Sequence, residues 1–156
     1  MNRTEPVYDI ETYDPAKGAG QLLYRVRAAQ MHALDEAIAG EPVLAALEMT
    51  AAQYIVMSVL SKRCGDSTAE LCKDLAYDPG SMTRMIDRLE AKGLINRQRC
   101  PNDRRLVKLE LTEKGLAVLP TMRECSVRVL NRFLRGFSQA EARQLEGFLA
   151  RILQNV

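Results

Sequence analysis

Ser81, Thr83, Arg84 and Arg88 lie close together on a segment that reads as a helix, and all four fall off its apolar face. Two hydroxyls and two guanidiniums presented together suit base edges and phosphates, arginine pairing best with guanine O6 and N7. A little further on, Cys100–Pro101–Asn102–Asp103–Arg104–Arg105 reads as a turn with two arginines at its tip, and Lys108 follows. A cationic helix face beside a cationic hairpin is the chemistry of gripping a nucleic-acid duplex.

Those side chains need elements to position them. Asp78 is an N-cap with Pro79 at the first helical position, where the missing N–H costs nothing. Met82, Met85, Ile86 and Leu89 recur at helical spacing and bury the opposite face. Gly93 stops the helix as a C′ glycine. Leu94 to Arg99 and Leu106 to Leu111 alternate as half-buried strands. Upstream, Ser67 and Glu70 form a capping box, with Leu71 and Leu75 on the buried side of a short helix. The break at Ala76–Tyr77 then gives helix-turn-helix spacing. Thr50 and Gln53 make another capping box, before an apolar run from Tyr54 to Leu60 that belongs in the core. Cys64–Gly65–Asp66 is a turn.

The flanks are helical too. Asp14–Pro15 opens a first helix running to about Gly40, with Leu23, Val26, Leu34 and Ile38 along one side. Glu41–Pro42 restarts a short piece through Glu48. Thr112 caps a long helix bearing Leu116, Leu119, Met122, Val129, Leu130 and Phe133, kinked at Pro120 and ended by Gly136. Ser138 and Glu141 cap a final helix with Leu145, Phe148, Leu149, Ile152 and Leu153.

Net charge conceals its own distribution. The 156 residues sum to +2, yet residues 79–109 carry an excess of +5 while residues 1–60 stand at −4. A local basic patch on a near-neutral chain favours directed nucleic-acid contact over indiscriminate polyanion binding. An enzyme is disfavoured, because there is one histidine, no Gly-rich phosphate loop and no nucleophile elbow. Cys64, Cys72, Cys100 and Cys125 form no CxxC pair, which predicts free thiols, no metal site and no cofactor. The N-terminal residues lack a signal-peptide core and no run is long enough to span a membrane, so a cytoplasmic location is expected.

A winged helix-turn-helix needs only residues 49–112 for its own core. The helices in 16–48 and 113–156 carry apolar stripes that so small a module cannot cover, and stripes of that size mark an interface. Interleaved in a homodimer they form a dimerisation region, with residues 1–15 as an N-terminal extension. Two reading helices about 34–36 Å apart then match successive major grooves of palindromic double-stranded DNA. The expected fold class is mainly α with a small β-hairpin wing: a winged helix-turn-helix with N- and C-terminal dimerisation helices.

The passage TRMIDRLEAKGLINR, the wing NDRRLVKLELTEKG and the flanking helices resemble the MarR family of bacterial transcription regulators. The sharpest element is Asp103–Arg104–Arg105 followed by Leu111–Thr112–Glu113–Lys114–Gly115, similar to that family's D-x-R…LT-x-x-G signature. The resemblance implies that Ser81, Thr83, Arg84 and Arg88 enter the major groove. It implies that Arg105 enters the minor groove, oriented by Asp103. Arg104, Arg99, Lys108 and Lys92 read as phosphate contacts. It also implies a repressor released by a small aromatic carboxylate or phenolic effector. Tyr24, Arg25, Arg27, His32, Tyr54 and Met57 offer the cations and flat walls for such a pocket. The alternatives are a thiol-based redox-sensing regulator of the same fold and a winged-helix protein-interaction module.

Overall fold

A computed structural model describes residues 6–62, 67–100 and 103–155, with the backbone alone at 99–100 and 103–106. The described residues form seven helices and one antiparallel hairpin, in the order α1 (Ala19–Ala39), α2 (Pro42–Ala46), α3 (Ala51–Leu60), α4 (Thr68–Leu75), α5 (Pro79–Ala91), β1 (Ile95–Cys100), β2 (Asp103–Leu111), α6 (Glu113–Phe133) and α7 (Gln139–Leu153). This is the mainly helical winged helix-turn-helix that the sequence pattern predicts.

Local capping accounts for most of the helix starts. Thr50 with Gln53, Ser67 with Glu70 and Ser138 with Glu141 each complete a reciprocal capping box. Asp78 and Thr112 each accept one backbone N–H in the first turn of the helix that follows. Gly93 adopts φ +70°, the left-handed conformation that closes α5. Ala76 takes φ +52° in the turn between α4 and α5, a conformation a β-carbon disfavours and that no glycine announces.

Ile38 from α1, Leu44 from α2, Val56 and Met57 from α3, Leu71 from α4 and Met122 from α6 meet Met82, Ile86 and Leu89 of α5 in one core. Leu94, Ile95 and Leu109 carry the hairpin into the same cluster. β1 and β2 pair with Ile95 opposite Leu111 and Arg97 opposite Leu109. An isolated bridge from Ser67 to Lys108 brings the chain before α4 to the free edge of β2.

Three expectations are corrected. β2 begins at Asp103, which pairs with Cys100, so Arg104 and Arg105 lie in the strand and not at the tip of an open turn. The register shifts between Arg99, opposite Val107, and Cys100, opposite Asp103, so the arginines fall in an irregular stretch at the start of the strand. α1 starts at Ala19 instead of Asp14. Asp14 Oδ1 accepts the Ala16 N–H (2.9 Å) and its carbonyl accepts from Gly18 (3.0 Å), closing a separate turn. Gly18 is then extended, and the Tyr13 ring lies where a Gly18 β-carbon would stand, 2.5 Å away. Finally, α6 ends at Phe133, with Gly136 (φ +91°) beyond it. The turn expected at residues 64–66 lies outside the described residues.

Some apolar stripes stay open within one chain. Leu23 and Val26 of α1 and Leu116 and Leu130 of α6 are exposed, and no residue of α7 is buried. No helix among the described residues is long and apolar enough to cross a membrane.

The hairpin returns to α6 through a very close approach. A β-carbon on Gly115 would sit 2.1 Å from the Leu94 carbonyl oxygen, while the Thr112 N–H donates to that same oxygen (3.0 Å). Thr112 Oγ1 donates to the Gly93 carbonyl (2.7 Å) and accepts the Gly115 N–H (3.0 Å). Gly115→Ala is therefore expected to cost on the order of 3 kcal/mol in urea unfolding, because backbone must move to admit the methyl. Thr112→Ala should cost about 1 kcal/mol, the usual worth of an N-cap. Equal small losses would show that the junction yields.

Candidate nucleic-acid interface

Helix α5 buries Met82, Met85, Ile86 and Leu89 and turns Thr83, Arg84, Asp87 and Arg88 to solvent, with Ser81 half-buried at its start. Its N-terminus is built from local hydrogen bonds. Asp78 Oδ1 accepts the Ser81 N–H (2.9 Å), and Thr83 Oγ1 donates to the Pro79 carbonyl (2.8 Å). Arg84 folds back to donate to Ser81 Oγ (3.1 Å). Thr83, Arg84 and Arg88 are thus exposed off the buried face, with Ser81 half-buried at the helix start and a guanidinium held over the first turn. The Ser81 side chain and N–H, aided by the Arg84 charge, hold the Asp78 carboxyl below its ordinary range.

The hairpin stands beside this face, and Lys108 is exposed on β2. The side chains of Arg99, Asp103, Arg104 and Arg105 lie outside the described residues, so the expected Asp103–Arg105 ion pair does too. Lys92 has a different employment from the phosphate contact expected of it. Its Nζ donates to the Glu48 carbonyl (2.7 Å) and to Gln53 Oε1 (3.1 Å), tying the end of α5 to the start of α3. Burial pushes its ammonium below the usual lysine range; Glu48 opposes this and Arg88 adds to it.

Arg97 on β1 is the functional candidate that sequence reasoning passed over. Its two terminal nitrogens reach Asp87 Oδ1 and Glu90 Oε2 on α5, both at 2.5 Å. The hydrogen bond to Asp87 is the leading reason its guanidinium is held still more firmly charged. The pairing spans two elements, ten and seven residues apart in sequence. No helical or strand periodicity connects such positions.

The residues expected to line an effector pocket scatter within one chain. Tyr24 and Arg25 are exposed on the open half of α1, and His32 is exposed beside Glu36 (3.4 Å). Met57 is fully buried in the core. Tyr54 alone borders a cavity, of about 390 Å³ between α3 and α6, with Ser58, Ser61, Lys62, Leu119 and Arg123. Among the described cysteines, Cys72 is half-buried, Cys125 is buried, and both are free.

A helix-turn-helix followed by a hairpin wing, with a polar cationic reading face, defines a winged-helix protein. The MarR family model matches residues 49–107. The apo crystal structure of MarR from E. coli is 30% identical, with a TM-score of 0.72, covering 87% of this chain and 97% of that one. A cysteine-to-serine mutant of E. coli MarR complexed with operator DNA is 30% identical with a TM-score of 0.74, covering 86% and 92%. Bordetella bronchiseptica BpsR, whose DNA binding is regulated by 6-hydroxynicotinic acid, is 26% identical with a TM-score of 0.76, covering 92% and 98%. The chain belongs to the MarR family of DNA-binding transcription regulators.

The Asp78 cap has a definite pH signature. Its folded carboxyl titrates below the ordinary value of 3.8, so its support for α5 is complete above that value and is lost as pH falls through the folded one. Protection of the Ser81 amide from exchange, followed by NMR, should hold at pH about 5 and decline in stronger acid. In Asp78→Ala it should be low throughout; protection indifferent to both would show that the cap is idle.

Proposed function

We propose that this protein is a sequence-specific regulator that binds palindromic double-stranded DNA as a homodimer and acts as a repressor released by a small aromatic carboxylate or phenol. The observation that carries the reading is the exposure of Thr83, Arg84 and Arg88, beside half-buried Ser81, on a helix buried firmly on its other side. Arg84 and Arg88 supply guanine-directed donors, and the two hydroxyls reach bases or phosphates. Arg105, oriented by Asp103, enters the minor groove, while Arg104 and Lys108 hold phosphates. The operator complex of E. coli MarR supports this assignment by likeness. The open apolar stripes of α1 and α6, and an α7 with no buried residue, support the dimer, since contiguous exposed apolar faces mark interfaces. Residues 16–48 and 113–156 form that dimerising region and 49–112 the reading head.

Selection of bound genomic fragments at physiological salt tests the core of the proposal and yields the operator. Arg84→Ala and Arg105→Ala should each weaken binding to the selected fragment by about 1–3 kcal/mol, with unfolding temperature little changed. Lys108→Ala should lower the salt slope by about one ion. A thermal loss matching the binding loss would assign these residues to folding instead.

The effector site is best placed in the cavity between α3 and α6. Tyr54 and Leu119 give it a flat apolar wall, and Lys62 and Arg123 give it cations for a carboxylate or phenolate. This retains Tyr54 from the expected pocket and replaces the cations of α1 with those at the end of α3 and on α6. Benzoate, 2-hydroxybenzoate and phenol titrated into the protein–DNA complex should release DNA, and Arg123→Ala should blunt the response to the carboxylates. No release by any of them would remove the effector reading and leave the DNA reading intact.

A further inference from the structure

We infer that Arg97 is a positioning residue for DNA recognition, acting through Asp87 and Glu90 and not by reading DNA itself; the inference rests on the proposed DNA-binding function. The two carboxylates lie on the reading helix, between and just beyond Arg84 and Arg88. Left uncovered, they would place two negative charges beside the approaching phosphates, against the cations that attract them. Arg97 reaches across from β1 and engages both, Asp87 through one terminal nitrogen and Glu90 through the other, each at 2.5 Å.

Stability alone does not account for this arrangement. All three side chains are partly open to solvent, at 32% for Arg97, 54% for Asp87 and 39% for Glu90. Ion pairs so exposed contribute little to folding. Geometry and charge are what the pairing alters. A forked guanidinium reaches two carboxylates at once, which a lysine ammonium does less well because it has no planar fork. The fork fixes the middle and end of α5 against the first strand of the wing. Groove-reading helix and wing are thereby set at one angle, while the negative field on the reading face is neutralised from behind. The opposite end of β1 pairs with the start of β2, Cys100 opposite Asp103, so the same strand leads into the wing.

The test uses the full-length protein and the duplex selected with the wild type. Arg97→Ala is expected to bind that duplex about tenfold more weakly, with a shallower salt dependence, because two phosphate-facing carboxylates are uncovered. Its unfolding temperature should stay within a few degrees of the wild type. Arg97→Lys should recover only part of the affinity. Arg97→Ala combined with Asp87→Asn and Glu90→Gln should restore the salt slope, which a merely structural role would not move. Unchanged binding by Arg97→Ala overturns the inference. So does a binding loss that follows thermal stability, leaves the salt slope alone and is not relieved by neutralising the carboxylates. Failure of the wild type to bind any duplex at low salt would instead overturn the DNA-binding reading, and the inference with it.

Discussion

The join between the reading helix and α6 depends on the contact between the Leu94 carbonyl and Gly115. At that point the chain leaving α5 meets the chain entering α6 with no room for a side chain between them. Three hydrogen bonds surround the contact. The Thr112 N–H reaches the Leu94 carbonyl, Thr112 Oγ1 reaches the Gly93 carbonyl, and Lys114 Nζ reaches the Lys92 carbonyl (2.8 Å). Each satisfies a carbonyl at or just past the end of α5, where helical partners run out. The last turn of α5 and the first turn of α6 are therefore one mechanical piece. The LT-x-x-G signature describes that piece: threonine supplies the cap and the tether, and glycine supplies the space.

What was legible in the sequence was mostly what is local. Capping boxes, the Asp78–Pro79 start and the apolar face of α5 are encoded within four residues of one another, and the structure reproduces them. Gly18 and Asp103 show where local reading stops. A weak helix position next to a strong cap at Asp14 is indistinguishable from helix until the Tyr13 ring is seen packed over Gly18. A polar cationic run at 103–105 looks like turn until β2 is seen to begin at Asp103, paired with Cys100 across an irregular register. The candidate site divides along the same line. Thr83, Arg84 and Arg88 fall off the buried face of α5 because helical spacing requires it. Arg97 meets Asp87 and Glu90 only because the hairpin folds back, and Lys92 leaves the cationic surface only because Glu48 and Gln53 lie 44 and 39 residues away in sequence.

The charge pattern gains meaning from these tethers. Of the basic residues between 79 and 109, Lys92 and Arg97 are engaged within the protein's own contacts, on backbone, Gln53 and carboxylates. Arg84 and Arg88 remain at the reading face, with Lys108 on the strand beside them. The +5 excess thus conceals a division of labour. Part of it holds the helix, and part of it faces outward. A mutational scan that scored every cation here alike would confuse grip with geometry.

The same tethers constrain how an effector can act. α5 is bound to α3 through Lys92, to β1 through Arg97 and to α6 through Thr112, and these contacts resist its tilting alone. In the proposed reading, a ligand in the α3–α6 cavity would act on how the winged module as a whole sits on α6, not on the reading helix alone. In the proposed dimer that changes the separation and angle of two rigid heads, whose spacing must match about one helical turn of DNA. Such a mechanism needs only a difference in ligand affinity between two head spacings. Moving a two-state population from 1:99 to 99:1 takes about 5.5 kcal/mol of differential affinity. Two symmetric cavities would share that requirement, about half falling on each, within reach of one carboxylate–arginine contact and one covered aromatic face.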